Sequence, residues 1–467
     1  MGSGTPFDSI NPADGSLNGR FAGADAADVD RAVRDARRAQ RDPRWRSMLP
    51  QERARLLNRV ADLLVERATD LAAIQMRENG KLWTECLAQA RYAAATFRYF
   101  AGLIETQVSE IAPARGANLA AIVYEPFGVV AAITPWNSPL TLEAGKIAPA
   151  VAAGNAVVLK PSEFTPGVAR ELGRIFLDAG FPPGILNVVT GLGAETGSAL
   201  IRHPDVRMIS FTGGTVTGRA IAEIAAKRLV PVALELGGKS PHIVFADADL
   251  EAAADGVVSG IFSSSGQSCV AGSRLLIERP IYDSFLERVV ERTRRLKIGM
   301  PTADGVQIAP LSSFQHRDRV ERYVQSARED GGAILIGGRR PDDAVLRDGA
   351  FFEPTIIAGL AGDARACREE IFGPVLCVFP FEGEEDLIDQ ANDTDFGLGA
   401  GIWTGSYPKA WRVARAIESG LVWINSYKDL SVAVPVGGFK DSGIGREKGH
   451  NGIRTYQEPK AILWGMA

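Results

Sequence analysis

Residues 208–245, MISFTGGTVTGRAIAEIAAKRLVPVALELGGKSPHIVF, combine apolar runs with a glycine-rich turn and a helical stretch. The pattern predicts strands at Met208–Phe211, Val230–Leu236 and Ser240–Phe245, and a helix at Arg219–Lys227. Where a strand enters a helix through glycines, backbone N–H groups at the positive helix end can bind a phosphate. This order is typical of βαβ units in a parallel, doubly wound sheet.

The alternation continues toward the N-terminus. A helix is predicted between residues 165 and 180, with Thr165 as N-cap, Pro166 at its first position and Gly180 after its end. Residues 25–105 are predicted to be mostly helical, because apolar side chains recur on one face. Further strands are predicted at Gly128–Ile133, Ala156–Leu159 and Ile185–Val189.

Beyond about residue 250, a second alternating region is long enough for its own core. It is predicted to contain helices near 281–297 and 315–329 and strands near 374–380 and 421–425.

Two segments are expected to project from the chain. Ile111–Tyr124, with Pro113 and Gly116 at its turn, predicts a hairpin, and Tyr456–Trp464 predicts a terminal strand. Projecting strand edges commonly pair with another subunit, so we expect a homo-oligomer.

Composition excludes several classes of protein. The 467 residues predict two or three domains, and 46% hydrophobic with 23% charged residues is typical of a globular chain. The formal net charge of −4 gives no general attraction to nucleic acid or to anionic lipid. Apolar runs are too short for a membrane span, and no signal peptide is visible, so we expect a soluble protein. Four cysteines without a CxxC pair indicate a reducing, cytoplasmic compartment, and the scattered histidines indicate no metal site.

Three residues are candidates for chemistry. Glu235 ends an apolar strand, where burial should raise its pKa, although a structural carboxylate would show the same pattern. Cys269 lies in a polar loop, which favours a reactive thiol over a buried apolar one. Asn137 follows a strand as a possible amide donor, or as a turn former. Gly191, Gly193 and Gly197 are spaced GxGxxxG, which equally fits a tight strand-to-helix turn.

In their order along the chain, these segments resemble the NAD(P)-dependent aldehyde dehydrogenase superfamily, in its non-acylating, hydrolytic form. Glu235 and Cys269 are separated as the family pattern expects. The motifs that carry the resemblance are PWNSPL at 135–140, VVLKPSE at 157–163, FTGGTVTGR at 211–219, LELGGKSP at 234–241, SSSGQSC at 263–269, EEIFGPV at 369–375 and PVGGFKDSGIGRE at 435–447.

The resemblance implies an α/β fold of three parts. A Rossmann-like dinucleotide-binding domain would comprise residues 1–107 and 126–237, and an α/β catalytic domain residues 238–450. Residues 108–125 and 451–467 would form a small oligomerisation sheet, joining the chain into a homodimer or homotetramer.

The resemblance also implies roles for the candidate residues. Cys269 would be the nucleophile, Glu235 the general base that activates water, and Asn137 with the Cys269 backbone amide the oxyanion hole. Lys146 would support Asn137. The implied cofactor-binding residues are Ile133, Thr134, Pro135, Trp136, Lys160, Ser162, Glu163, Gly193, Phe211, Thr212, Gly213, Gly214, Thr217, Gly218, Leu236, Gly237, Glu370 and Phe372.

Two departures from the family pattern bear on the cofactor and the fold. Family members often carry serine where this chain has Gly214, which removes one possible phosphate contact. The chain begins near the SINPADG segment, so we expect much of the usual leading strand pair to be missing.

Glu163 would accept hydrogen bonds from a free 2′-hydroxyl of the adenosine ribose and repel a 2′-phosphate, which favours NAD over NADP.

Ser138, Leu142, Gly145 and Leu430 occupy the positions at which the family varies with substrate. Because Ser138 and Gly145 are small, we expect a bulky, apolar or aromatic aldehyde. The alternatives are a small aliphatic semialdehyde or a non-catalytic relative. A CoA-acylating relative is expected to lack the glutamate base, and a cysteine hydrolase would need a histidine partner.

Overall fold

The strands predicted between residues 128 and 235 lie in one sheet, as a computed structural model of the chain shows. The structure describes residues 2–113 and 116–466; Met1, residues 114–115 of the predicted hairpin turn, and Ala467 lie outside them. The strands are β1 Gly4–Ile10, β2 Leu17–Gly23, β3 Glu110–Ala112, β4 Asn118–Pro126, β5 Val129–Ile133, β6 Ala156–Lys160, β7 Leu186–Val188, β8 Met208–Thr212, β9 Val232–Glu235, β10 Pro241–Val244, β11 Arg274–Glu278, β12 Ala333–Ile336, β13 Thr355–Ala358, β14 Val375–Phe381, β15 Phe396–Gly397, β16 Gly399–Trp403, β17 Leu421–Ile424, β18 Phe439–Lys440, β19 Gly443–Ile444 and β20 Gln457–Gly465.

The helices cover both faces of the larger sheets. They are α1 Ala26–Arg41, α2 Pro43–Arg46, α3 Pro50–Glu66, α4 Ala68–Asn79, α5 Trp83–Glu105, α6 Pro139–Ala152, α7 Pro166–Asp178, α8 Ser198–Arg202, α9 Thr215–Arg228, α10 Leu250–Phe262, α11 Tyr282–Arg294, α12 Phe314–Glu329, α13 Ala344–Arg347, α14 Arg365–Arg368, α15 Gly383–Asn392, α16 Tyr407–Ala416 and α17 Gly449–Arg454. Single helical turns lie at Gly193–Gly197, Ser263–Gly266 and Arg279–Ile281.

The first sheet has the strand order β19-β9-β8-β5-β6-β7. All its pairings are parallel except that of β19 with β9. Every residue of β5, β6 and β8 is buried, as expected for parallel strands with helices on both faces. The chain runs outward from β5 in both directions, which creates a crevice beyond the carboxyl ends of β5 and β8.

The second sheet follows the order β12-β13-β14-β11-β10-β16-β17 and is parallel except between β12 and β13. The chain passes from the first sheet to the second between Glu235, at the end of β9, and Pro241, at the start of β10. The segment LGGKS at 236–240 therefore lies where the two sheets meet. Each sheet has its own buried apolar cluster.

The third sheet is antiparallel, with the order β20-β4-β3. The predicted hairpin and terminal strand form it together: β20 pairs with β4 from Gln457, opposite Pro126, to Gly465, opposite Asn118. Ile111, Ile462, Leu463 and Trp464 are exposed on it.

The expectation of a missing leading strand pair is wrong. β1 and β2 form an antiparallel hairpin in which the Phe7 and Phe21 rings stack with centroids 5.8 Å apart. The sequence GTPFDSI of β1 has no regular alternation of apolar residues, so its pattern alone does not predict a strand. Among the described residues, no helix is long and apolar enough to span a membrane.

Candidate active site

Cys269 lies in the loop between α10 and β11, and the backbone before it is sharply turned. Ser264, Ser265 and Gly266 all have positive φ angles, of +56°, +54° and +73°. Left-handed backbone is costly for a residue with a Cβ, so the turn needs outside support. Ser265 Oγ supplies part of it by donating to the Ala309 carbonyl at 2.7 Å.

Cys269 is partly buried, with its side chain against a small apolar cluster that includes Leu398 and Trp423 and its backbone against the 236–240 segment. A Cβ on Gly238 would lie only 2.4 Å from the Cys269 carbonyl oxygen, so this close approach requires glycine. Burial is the main cause that raises the pKa of the Cys269 thiol to about 12, and the negative charges of Glu370 and Glu235 act in the same direction. The thiol is therefore protonated at neutral pH in the absence of bound ligands, and its reaction requires a proton acceptor.

Asn137 follows β5 and is held against the Cys269 loop. Its Nδ2 donates to the carbonyl oxygen of Gln267, two residues before the cysteine, at 3.1 Å. Gln267 is itself fixed, because its Oε1 accepts from the Ser312 backbone N–H at 2.8 Å. The amide of Asn137 and the loop of Cys269 are thus held together although 132 positions separate the two residues.

Glu235 ends β9 with its side chain buried. Desolvation is the main cause that raises the pKa of this carboxyl well above its usual range, and the negative charge of Glu447 raises it further. The cations of Lys146, Arg446 and Lys448 act in the opposite direction. A carboxyl with a raised pKa is a stronger base, as proton abstraction requires.

Lys146 does not hydrogen-bond to Asn137 in this structure. Its Nζ, fully buried in α6, donates to Glu447 Oε1 at 2.5 Å and to Ser210 Oγ at 3.1 Å. Ser210 in turn shares a 2.9 Å hydrogen bond with the Tyr456 hydroxyl. The resemblance implies that Lys146 supports Asn137, whereas its hydrogen-bond partners in the structure are Glu447 and Ser210.

The crevice beyond β5 and β8 has the features of a dinucleotide site. Gly214 is the N-cap of α9 with no side-chain cap bond, and a Cβ there would meet nothing within 4 Å. A Cβ on Gly218, one turn into α9, would lie 2.5 Å from Leu236 Cδ2, so glycine lets the helix pack closely against β9. The uncapped N–H groups therefore face open space, which fits a pyrophosphate.

Lys160 and Glu163 lie along the same edge. Lys160 ends β6, and its Nζ forms an ion pair with Glu163 Oε2 at 3.3 Å. The Lys160 side chain is 4% exposed and that of Glu163 is 35% exposed. The carboxylate can therefore accept hydrogen bonds from ribose hydroxyls while the lysine holds it.

Glu370 and Phe372 lie at the opposite end of the crevice, next to Cys269. Glu370 Oε1 accepts from the Gly238 backbone N–H at 2.9 Å, and burial raises the pKa of this carboxyl to about 7. Phe372 has a φ of +60°, and its carbonyl accepts from His316 Nε2 at 2.7 Å. Trp136 packs edge-on to Phe372 with ring centroids 5.3 Å apart.

Most of the remaining predicted cofactor residues lie at the ends of the strands that border the crevice. Ser162 Oγ accepts from the Phe164 backbone N–H within the turn after β6. Gly193 begins a single helical turn and faces open space, whereas Gly191 packs against Thr196. Ile133 is the last residue of β5, and Thr134 and Pro135 follow it. Phe211 and Thr212 end β8, and Thr217 is in the first turn of α9. Leu236 and Gly237 follow β9.

Comparison with known proteins identifies the family. The sequence profile of the aldehyde dehydrogenase family matches residues 1–462. The chain belongs to the aldehyde dehydrogenase family. Solved structures of similar fold include an NAD⁺ complex of aldehyde dehydrogenase from Bacillus cereus, at 37% identity over 99% of this chain and 94% of that one, with a TM-score of 0.97.

Two further solved structures are equally close in fold. Betaine aldehyde dehydrogenase from Staphylococcus aureus in complex with NAD⁺ is 38% identical over 99% of this chain and 92% of that one, with a TM-score of 0.97. PnpE from Pseudomonas sp. WBC-3 is 41% identical over 99% and 95%, also with a TM-score of 0.97. The protein is thus an NAD(P)-dependent aldehyde dehydrogenase with the α/β fold of that family.

The four predicted tunnel positions of this aldehyde dehydrogenase differ in their surroundings. Ser138 is half-buried and its Oγ accepts from Gln89 Nε2 at 3.1 Å, while Leu430 is 40% exposed. Leu142 is half-buried in α6. Gly145 is buried, and a Cβ there would lie 3.8 Å from Glu447 Oε2. The space that the small residue leaves at 145 is therefore bordered by a carboxylate.

Sequence reasoning missed several polar side chains around Cys269 in this aldehyde dehydrogenase. Glu447 closes the PVGGFKDSGIGRE motif but was given no role, and its pairing with Lys146 spans 301 positions. Lys428 lies two residues before the predicted tunnel residue Leu430, which is the only local signal for it. Glu85, Gln89 and Tyr92 have helical spacing in α5, a segment that the pattern predicts only as scaffold.

Proposed function

We propose that this chain oxidises an aldehyde to its carboxylic acid with NAD, through a covalent intermediate on Cys269 that water releases. The observation that carries the proposal is the convergence of three side chains at the meeting of the two sheets. Asn137 is bonded to the Cys269 loop, and the charge of Glu235 acts directly on the thiol. A thiol, a fixed amide donor and a strong carboxylate base are what acyl chemistry requires.

The first step is attack of Cys269 Sγ on the aldehyde carbon. The S–C bond forms as the carbonyl π bond breaks, and the thiol proton passes to a base, a role that we assign to Glu235 in addition to the activation of water. The negative charge that develops on the former carbonyl oxygen accepts hydrogen bonds from Asn137 Nδ2 and the Cys269 backbone N–H. Loss of one such donor typically costs about 10²- to 10³-fold in rate.

The thiohemiacetal then becomes a thioester as hydride leaves the carbon. NAD, when bound in the crevice, supplies the acceptor of that hydride. Glu235, once it has released the thiol proton to solvent, takes a proton from water, whose oxygen attacks the thioester carbon and displaces the Cys269 sulfur as a thiolate. The carboxylic acid is the product. Because Glu235 is present, we propose that the acyl group is transferred to water and not to a thiol.

NAD is proposed over NADP because of Glu163. Its carboxylate is held by Lys160 at the edge where the adenosine ribose would bind. A carboxylate accepts bonds from a free 2′-hydroxyl but repels a 2′-phosphate. NAD⁺ is also the cofactor in the similar structures from Bacillus cereus and Staphylococcus aureus.

A substrate larger than acetaldehyde remains our proposal, because Ser138 leaves room after Asn137. The apolar part of the expectation is not supported by the side chains nearby. Ser138 is hydrogen-bonded to Gln89, and the room beside Gly145 is bordered by Glu447. The domain limits and the cytoplasmic location predicted from the sequence remain predictions.

Substitution of the nucleophile tests the proposal. Cys269→Ala should lower aldehyde-dependent NADH formation on the order of 10⁴-fold or more, because no covalent intermediate can form. Cys377→Ala, at a buried cysteine of β14, is the matched control and should keep most of the activity. NADH absorbance is followed with both variants at equal folded concentration, checked by circular dichroism. Substantial activity of Cys269→Ala would disprove the covalent role.

A further inference from the structure

Lys428 is a half-buried cation beside the loop that carries Cys269. It follows β17 in a left-handed backbone conformation, with a φ of +62°. Its Nζ donates to Ser263 Oγ at 2.9 Å. Within the part of the chain that the structure describes, no carboxylate lies within 4 Å of this ammonium group. Burial lowers the pKa of Lys428 to about 8, so most of the group is still charged at neutral pH.

The neighbours of Lys428 place it beside the Cys269 loop. The preceding residue, Tyr427, donates its hydroxyl to the Val270 carbonyl at 3.0 Å and stacks on His242 with centroids 4.3 Å apart. Ser263 begins the helical turn that leads to Cys269. Lys428 and Tyr427 together are thus tied to both ends of the cysteine loop, and a thiolate at Cys269 would favour the charged form of Lys428.

The charges around Lys428 leave an excess of one cation. Lys81 is buried nearby and its charge opposes that of Lys428. Glu85 is the carboxylate that favours the ammonium form of Lys428. However, Glu85 Oε1 already accepts from the backbone N–H and the hydroxyl of Ser264, at 2.8 and 3.0 Å. Among the described residues, one carboxylate therefore faces two ammonium groups, with Oε1 held by the turn and Oε2 buried without a hydrogen-bond partner.

The facing side of α5 is also polar. Glu85, Gln89 and Tyr92 recur with helical spacing and are half-buried. Glu85 contacts the cysteine turn, Gln89 donates to Ser138 beside Asn137, and Tyr92 accepts from Lys448 Nζ at 3.1 Å. The side chains near Cys269 and Asn137 on this side can therefore solvate a charged or hydroxylated substrate better than an aromatic hydrocarbon.

We propose that Lys428 and Ser263 bind a carboxylate carried by the aldehyde substrate, which makes the substrate class an oxo-acid. The carboxylate would accept hydrogen bonds from Lys428 Nζ and Ser263 Oγ while the aldehyde carbon lies at Cys269 Sγ. A charge-assisted bond from a partly desolvated ammonium group is stronger than a neutral one. The same ammonium group repels a cationic aldehyde. This inference rests on the proposed oxidation of aldehydes at Cys269.

The test compares each oxo-acid with its own methyl ester, which has the same aldehyde without the charge. The substrates are 4-oxobutanoate, 5-oxopentanoate, 6-oxohexanoate and 4-carboxybenzaldehyde. They differ in the distance between the aldehyde and the carboxylate, so their relative rates indicate which distance fits the site. For at least one pair, kcat/KM of the natural protein should favour the acid by roughly 10-fold or more. Equal values for all four pairs would overturn the inference.

Lys428→Met removes the charge and keeps an unbranched side chain of similar length. It should lower kcat/KM for the preferred acid by roughly 10- to 100-fold and change that for its methyl ester by less than about 3-fold. Lys428→Arg should keep much of the preference. Lys227→Met, at an exposed lysine of α9, is the matched control and should change neither value.

The methyl esters separate failure of this inference from failure of the proposed function. Equal losses for acid and ester in Lys428→Met would show a merely structural lysine and overturn the inference. If the natural protein oxidised none of the esters or acids, the proposed oxidation itself would be contradicted. Ester turnover by Lys428→Met also shows that the variant is folded.

Discussion

The charge of Glu447 acts on Glu235, the proposed general base. The Glu447 carboxylate is bonded to Lys146, and its negative charge is the second cause, after burial, of the raised pKa of Glu235. The base is active as a carboxylate, so the rate should fall as the pH falls through that pKa. The position of this acidic limb therefore reports the charges around Glu235.

Glu447→Gln should move the acidic limb of the kcat profile to lower pH, by roughly one unit. The variant removes a repelling charge and leaves the Lys146 cation unpaired, and both changes favour the Glu235 carboxylate. The measurement is kcat against pH with NADH absorbance. Glu235→Gln is the reference and should lose the limb along with most of the activity. A limb that stays in place, or moves to higher pH, would contradict this role.

Residue types at the chemical centre could be predicted from the sequence, because each lies within a distinctive local motif. Cys269, Glu235 and Asn137 were found in that way, although their roles remain proposals. The hydrogen-bonded pairs around these residues could not be predicted from the sequence. Lys146 and Glu447 are 301 positions apart, and Lys428 and Ser263 are 165 positions apart. A single sequence contains no periodicity that relates such distant positions.

At the scale of elements, regular patterns were reliable guides. The helix predicted between 165 and 180 is Pro166–Asp178, and the strands near 374–380 and 421–425 are Val375–Phe381 and Leu421–Ile424. The helix has Pro166 in its first turn and a buried apolar face, and both strands carry buried apolar residues. The β1–β2 hairpin was missed because its stability depends on the pairing of two irregular segments, and not on a pattern within either one.

The glycines at the start of α9 allow a prediction about this element. Gly218→Ala would place a Cβ 2.5 Å from Leu236 Cδ2, so either the Leu236 side chain or the start of α9 would have to move. Such overpacking typically costs about 1–3 kcal/mol. We expect KM for NAD to rise about 10-fold with a smaller change in kcat.

Gly102→Ala is the matched control for the α9 prediction. Gly102 lies exposed within α5, outside the proposed cofactor site, and its Cβ would meet nothing within 4 Å, so the substitution should leave the fold and KM unchanged. Initial rates at varied NAD, with thermal unfolding of both variants, make the comparison. An unchanged KM in Gly218→Ala would contradict the close packing of α9 as a requirement for cofactor binding.

At the scale of the whole molecule, the antiparallel sheet of β3, β4 and β20 exposes a group of apolar side chains. Ile111 is 74% exposed, Leu463 74% and Trp464 68%. Exposed apolar groups of this kind usually mark a surface that another subunit covers. This supports the homo-oligomer that the sequence predicts, as a dimer or a tetramer.

Leu463→Lys should weaken that association, because an ammonium group would be buried without a partner in the covered sheet. The expected result is a shift toward smaller species at micromolar concentration, measured by sedimentation velocity. Leu177→Lys, at an exposed leucine of α7 outside this sheet, is the matched control and should leave the assembly unchanged. Because Leu463 is exposed within one chain, the substitution should change the far-ultraviolet circular dichroism little. A natural protein that sediments as a monomer, or a Leu463→Lys variant that assembles as well as the control, would show that this sheet does not join subunits.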